Sequence, residues 1–276
     1  GGYFMRGKYI KKDELIDMRK EYCNTGIYTT LYQYQFKRPY EKGEDKPVFL
    51  YGPFYLDFDA EIYDVDEKTA KQNLKKIQDD FRQAITFFEV IYDIPREYAR
   101  CYYSGKKGFH LIYPAELFGL EPREDLNRIF KLLKDDVKEF TNEDTIDDRI
   151  YDNKRLIRVS NSKHQDTGLY KVPLDPDFII NAEIEDLHQV ALTTKTADFK
   201  EPKVIRKAKK QFKTLIDKYE YKIESKKKMR EKYKDRKLEY TPPCIEHLLK
   251  NGVSKGKRNN SMAALVSFFK QSGMTE

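Results

Sequence analysis

Cysteine is scarce in this chain, and long apolar runs are missing. Three cysteines, Cys23, Cys101 and Cys244, lie far apart among 276 residues with no CxxC pair. That spacing supports neither a disulfide framework nor a cysteine-rich zinc site, so no zinc is expected and a reducing cytoplasm fits. No stretch approaches the ~18 uninterrupted apolar residues of a membrane span, which excludes that class. No signal peptide is visible either; GGYF ahead of Met5 reads as a cloning scar. Internal repeats are absent. Hydrophobic residues make up only 39% of the chain, yet 17 Phe and 21 Tyr supply large apolar bodies, enough for a real core.

Charge is abundant and unevenly placed. Lys and Arg number 53 against 46 Asp and Glu, a net of +7. Residues 201–276 hold 21 basic against 9 acidic residues (+12), which leaves 32 against 37 (−5) for residues 1–200. Within the basic quarter, Lys226 to Lys237 reads KKKMREKYKDRK. Such a run is either a solvated helix face or a direct contact to nucleic acid.

Periodicity predicts the elements. Residues 11–23 suit a short helix, YTTLYQYQF a strand, and PYEKGEDKP (Pro39–Pro47) a polar turn before the strand material VFLYGPFYLDFD. From Asp66 onward, Leu74, Ile77, Phe81, Ala84, Phe88 and Ile91 recur at helical spacing until Pro95. ARCYYS and FHLIYP form two strands joined by Gly105-Lys106-Lys107-Gly108, and Leu126, Phe130, Leu133, Val137 and Phe140 mark a second helix. RLIRVS and LYKVPL are further strands, and Lys207 to Tyr240 read as a long charged helix. After Pro242-Pro243, Ile245, Leu248, Leu249, Met262, Leu265, Val266 and Phe269 suggest small packed helices. Strands alternating with helices, with hairpins mixed in, argue for an α/β or α+β fold. The expected division is a body over 1–192, a basic linker and helix over 193–240, and a small helical segment over 241–276 that reads as truncated.

Three clusters carry chemistry. In FYLDFD the strand period of two puts Phe54, Leu56 and Phe58 on one face, and Tyr55, Asp57 and Asp59 on the other. Two adjacent carboxylates repel, and a hard divalent ion relieves the repulsion; the alternative is a polar strand end. In Ser104-Gly105-Lys106-Lys107-Gly108-Phe109-His110, two glycines bracket two lysines, which lets backbone N–H groups approach an anion. An ordinary hairpin explains the turn alone, and His110 taken singly reads rather as a satisfied core histidine. The third cluster runs from Asp152 through Arg155, Arg158, Ser162, Lys163 and His164 to Thr167-Gly168. Arg158, Ser162, Lys163 and His164 converge as donors suited to phosphate oxygens, and Asp152 adds a carboxylate. His188 and His247 lack a comparable setting. Together the clusters point to phosphoryl transfer on a nucleotide.

The order FYLDFD, SGKKGFHLIYP, YDNKRLIRVSNSKHQDTGLYKVPL resembles the archaeo-eukaryotic primase superfamily over residues ~25–180, nearest to the bacterial primase-polymerases of phages, plasmids and CRISPR loci. PPCIEHLLKNGVSKGKRNN resembles, more loosely, the helical segment that often follows such domains. The resemblance implies an RRM-like mixed sheet with a small flanking α/β module. It implies two Mg²⁺ or Mn²⁺ ions held by Asp57, Asp59 and Asp152, with Asp147 and Asp148 as alternatives for the third ligand. Ser104, Gly105, His110, Arg155, Arg158, Ser162 and His164 would grip the triphosphate, assisted by Lys106, Lys107 and Lys163. The implied partners are a single-stranded DNA template, dNTPs or NTPs, and CRISPR or replication proteins, with no membrane. The implied activity is de novo primer synthesis and extension. An end-joining or gap-filling polymerase, a metal-dependent nuclease and a silent RNA-binding module are the alternatives.

Overall fold

The computed structural model describes residues 14–34, 49–142, 144–232, 240–253 and 258–272. The expected turn at Pro39–Pro47, the GGYF start and the basic run beyond Lys232 lie outside the described residues. The chain divides into two compact units, residues 1–217 and 218–276. No helix among the described residues is long and apolar enough to cross a membrane.

The first unit is α+β. After helix α1 (Leu15–Glu21) come short strands β1 (Tyr28–Thr30), β2 (Gln33–Tyr34) and β3 (Leu50–Tyr51), then β4 (Phe54–Asp59) and helix α2 (Glu67–Tyr92). Strands β5 (Arg100–Tyr103) and β6 (Gly108–Tyr113) form a hairpin, followed by helix α3 (Leu126–Phe140), β7 (Leu156–Arg158) and β8 (Val172–Leu174). Short helices α4 (Pro176–Asn181) and α5 (Ile184–Val190) lead to the long α6 (Arg206–Lys232). The central sheet has the order β4-β6-β5-β8, and every pair in it is antiparallel. Two satellite ribbons pair β1 with β7 and β2 with β3.

Sequence chemistry accounts for the main elements. Asp66 caps α2, its carboxylate accepting the Thr69 N–H at 3.0 Å, and Asp93 ends the helix in the left-handed region two residues before Pro95. Along α2 the buried stripe is Leu74, Ile77, Phe81, Ala84 and Phe88, after which Tyr92 rather than the expected Ile91 turns inward. Phe54 meets Phe88 and Phe130 at 5.5 and 5.4 Å between ring centroids, and Phe58 meets Phe81 at 5.3 Å. One face of the sheet is thereby sealed against α2 and α3, and Tyr55, Asp57 and Asp59 face the other way. The expected boundary at residue 192 falls just after α5. Chain without regular structure follows, and it packs on the sheet through Phe199, whose ring lies 5.8 Å from that of Tyr102.

The second unit contains the end of α6 and helices α7 (Pro243–Asn251) and α8 (Arg258–Gln271), which pack on each other. Ile245 and Phe268 are buried, whereas Leu249, Met262 and Val266, expected in a core, are exposed.

Candidate active site

Strand register assembles the site. On β4 Asp57 stands directly opposite His110 of β6, and His110 stands opposite Tyr102 of β5, so these side chains share the sheet face away from α2 and α3. His110 Nε2 lies 3.4 Å from Asp57 Oδ1, and its ring meets the edge of Tyr55 at 5.3 Å. Asp59 sits two residues along β4 from Asp57, with Lys107 Nζ at 3.0 Å. Both loop arginines reach this face. Arg155 Nη2 is 3.9 Å from Asp57 Oδ2, and the buried Arg158 donates from Nη2 to the Ser104 carbonyl.

A third carboxylate joins from the free edge of β4. Asp59 N–H donates to the Thr145 carbonyl and Asp147 N–H to the Asp57 carbonyl, both at 2.9 Å, around a bridge between Phe58 and Ile146. That register sets Asp147 beside Asp57. The segment is pinned by Asp80, a fully buried carboxylate on α2 that accepts from Thr145 N (2.9 Å), Thr145 Oγ1 (2.8 Å) and Asn142 N (3.2 Å). The neighbouring Asp148 turns away onto α3, bound by Lys134 and by Lys138 at 3.2 Å. The carboxylate that register brings beside the pair is Asp147, whose charge also raises Asp57; its Oδ1 accepts the Arg149 N–H at 2.9 Å, as Asp152 Oδ1 accepts the Lys154 N–H at 2.9 Å.

The electrostatics follow from crowding. Burial, then Asp59 and Asp147, push the Asp57 carboxyl up to about 7 against the opposing pull of Arg155 and Lys171. Burial also raises Asp59, although Lys107 pulls it down. His110 is held well below the ordinary histidine range, by burial first and then by Lys171, Arg158 and Arg155. The imidazole is thus neutral, and its contact with Asp57 is not an ion pair. Three buried nitrogens here have no partner in the protein: His110 Nδ1, Arg155 Nε and Arg158 Nη1. Buried polar atoms are normally hydrogen-bonded, so Arg155 Nε and Arg158 Nη1 are open donor positions, whereas Nδ1 of a neutral imidazole with Nε2 facing Asp57 is an acceptor.

The Gly-Lys-Lys-Gly turn has a different job from the one its glycines suggest. Ser104 Oγ accepts the Lys106 and Gly108 N–H groups at 3.3 and 3.2 Å. A Cβ on Gly105 (φ +78°) would meet the Leu169 and Tyr170 carbonyls at 2.9 Å, and one on Gly108 would overlap the Phe58 carbonyl. The turn's backbone closes the hairpin and packs on its neighbours, with the Lys106 and Gly108 N–H groups taken by Ser104. Lys106 Nζ pairs with Asp166 at 2.7 Å, and Thr167 Oγ1 donates to the Gly105 carbonyl at 2.6 Å, which ties this turn to the Ser162–Gly168 turn. Ser162 is fully buried and donates to the Val159 carbonyl at 2.7 Å, and Lys163 lies over the Tyr170 ring at 5.3 Å. Both serve the turn. His164, pushed down to about 4 by burial and by Arg158, accepts the Asp166 N–H on Nδ1 at 3.1 Å. Asp57, Asp59, His110, Arg155, Arg158 and Lys107 are brought together, with Ser104 as their support.

One residue of this cluster escaped the sequence reading. Lys171 is buried in the strand LYKVPL, donates to the Arg158 carbonyl at 2.9 Å and lies over the Tyr102 ring at 4.9 Å. Burial, then Arg158, push it down to about 7. A lone lysine flanked by apolar residues in a strand was the available signal. No family model matches the chain, and no curated protein matches its sequence.

Proposed function

We propose that the chain is a template-directed nucleotidyltransferase of the primase-polymerase type, in the archaeo-eukaryotic primase superfamily, which joins nucleoside triphosphates on a single-stranded DNA template. The observation that carries this reading is the pairing of one carboxylate edge, Asp57, Asp59 and Asp147, with the open guanidinium donors of Arg155 and Arg158.

The residues fit divalent ions. Asp57 is raised to about 7 by burial first and then by Asp59 and Asp147, and a bound cation would offset that penalty. Among the described residues, no three His, Cys, Asp or Glu side chains close around a single point. Asp57 and Asp59 would therefore hold Mg²⁺ or Mn²⁺ with Asp147 at longer range, and substrate phosphates would complete the shell. Bound there, the ions would supply Lewis acidity for in-line attack of a 3′-hydroxyl on an α-phosphate.

The chain's own groups do the rest. Arg155 and Arg158 offer fixed N–H donors to phosphate oxygens. Neutral His110 adds a polar contact without a further buried charge. Lys107 holds Asp59 ionised through its 3.0 Å contact. Lys171 supports the Arg158 backbone from behind, keeping the guanidinium at the Ser104 carbonyl.

The deciding experiment is synthesis on an unprimed single-stranded template with dNTPs or NTPs and Mg²⁺ or Mn²⁺. De novo products from wild type and none from Asp57→Asn are expected. Extension of primers alone would favour the end-joining or gap-filling alternative, and degradation of DNA without nucleotides would overturn the reading in favour of a nuclease.

A further inference from the structure

The part of α6 in the second unit carries charge in an ordered way that the proposed chemistry does not use. Lys218, Lys222, Lys226 and Arg230 recur every four residues. At 1.5 Å per residue they stand about 6 Å apart along one side of the helix. Tyr221 and Met229 lie between them, 74% and 60% exposed, and these six side chains line one open groove. At 100° per residue, Glu220, Glu224 and Glu231 fall on the opposite side, where Glu224 pairs with Lys228 at 2.8 Å. The side bearing Lys218 to Arg230 thus carries no acidic residue, whereas the acidic side also carries Lys227 and Lys228. A solvated helix gains from interspersed signs, as on its acidic side, so a side with a row of cations and no carboxylate suits an anionic occupant.

We infer that this face of α6 is a binding track for single-stranded nucleic acid, with the four cations on successive phosphates and Tyr221 as a stacking platform for a base. Cations at a regular interval of about 6 Å suit a flexible polyanion with one charge per unit, and an exposed ring among them suits bases, all of which present a π-face. A lipid surface fits less well, because a membrane-lying helix needs a broad apolar face and this one offers Tyr221 and Met229. The inference stands on α6 alone and does not depend on the reading of the carboxylate site.

The test is fluorescence anisotropy of a labelled 20-mer oligothymidylate with the full chain, without nucleotides or metal, across a salt series. Two triple variants remove the same charge from opposite faces: Lys222→Ala/Lys226→Ala/Arg230→Ala and Lys213→Ala/Lys227→Ala/Lys228→Ala. Alanine preserves the helix, which circular dichroism verifies. The first triple should weaken binding at least tenfold and flatten the slope of log K against log salt by about 2. The second should change affinity less than threefold. Tyr221→Ala alone should cost about fivefold or more. Equal loss in both triples would mean that net charge acts without a track, and unchanged binding in the first would exclude the face; either overturns the inference. So would stronger binding to anionic phosphatidylserine vesicles than to the oligonucleotide, or a preference for duplex over single strand. Asp57→Asn should leave the anisotropy unchanged, so loss of catalysis and loss of the track are read separately.

Discussion

The sheet face around Asp57 and the basic side of α6 are both dense in charge, and they handle it in opposite ways. At the sheet, charges are buried, held by strand register and backbone contacts, and shifted far from their ordinary protonation: Asp57 up to about 7, Lys171 down to about 7, His164 down to about 4. On the basic side of α6 the side chains are exposed and spaced by the helix repeat. A buried cluster of this kind costs stability and is suited to a ligand of defined geometry. An exposed row costs almost nothing and is suited to a long, flexible polyanion. The net charge divides accordingly, −5 over residues 1–200 and +12 over residues 201–276, which include α6.

The largest break in the comparison should come from Asp57. Asp57→Asn is expected to lower nucleotide incorporation by at least a thousandfold, as loss of a metal-holding carboxylate removes several kcal/mol of transition-state stabilisation. The same variant should be more stable. The folded carboxyl ionises near 7 and the unfolded one near 3.8, so the cost is absent below pH 4, grows between 4 and 7, and is full above 7. At pH 8 without divalent ions, thermal unfolding of Asp57→Asn should therefore occur several degrees above wild type. Added Mn²⁺ should raise the wild-type midpoint and leave the variant's in place.

Asp80→Asn ranks next. It removes charge-assisted acceptance from Thr145 and Asn142, at a cost of about 1.5–3 kcal/mol in denaturant unfolding. Because the same loop carries Asp147, incorporation should fall more than stability explains, even at temperatures where the variant is fully folded.

A smaller effect tests the half-buried His164. His164 binds its proton near 4 when folded and near 6.5 when unfolded, so its burial stabilises nothing in acid. Stability is undiminished above 6.5 and is lost as pH falls towards 4. His164→Gln should flatten that acid limb in a series of unfolding midpoints between pH 4 and 7. The smallest change belongs to α6: Lys228→Ala breaks an exposed pair with Glu224 and should move the unfolding midpoint by less than about one degree.

Much of the fold was legible because it rests on local periodicity. The three-four spacing of α2 and α3 and the alternation of FYLDFD each fix a face, and with it the side on which Asp57 and Asp59 stand. The third carboxylate was not legible. Asp147, Asp148 and Asp152 share one short acidic loop, and the choice among them depends on Asp80, Lys134 and Lys138, none of which is near it in sequence. The same limit applies to Ser162 and Gly105, whose residue types suit phosphate binding but whose groups are used by the turns that hold them. Lys171 was missed because a strand lysine is usually solvated, and only the packing of Arg158 and Tyr102 around it shows otherwise. In the second unit, apolar spacing alone overstated the core, since Leu249, Met262 and Val266 are exposed.

The most direct test is incorporation of labelled nucleotides on a single-stranded template by Asp57→Asn, read beside its affinity for the same oligonucleotide. The account predicts no detectable product and unchanged binding. Synthesis by Asp57→Asn at the wild-type rate would contradict it.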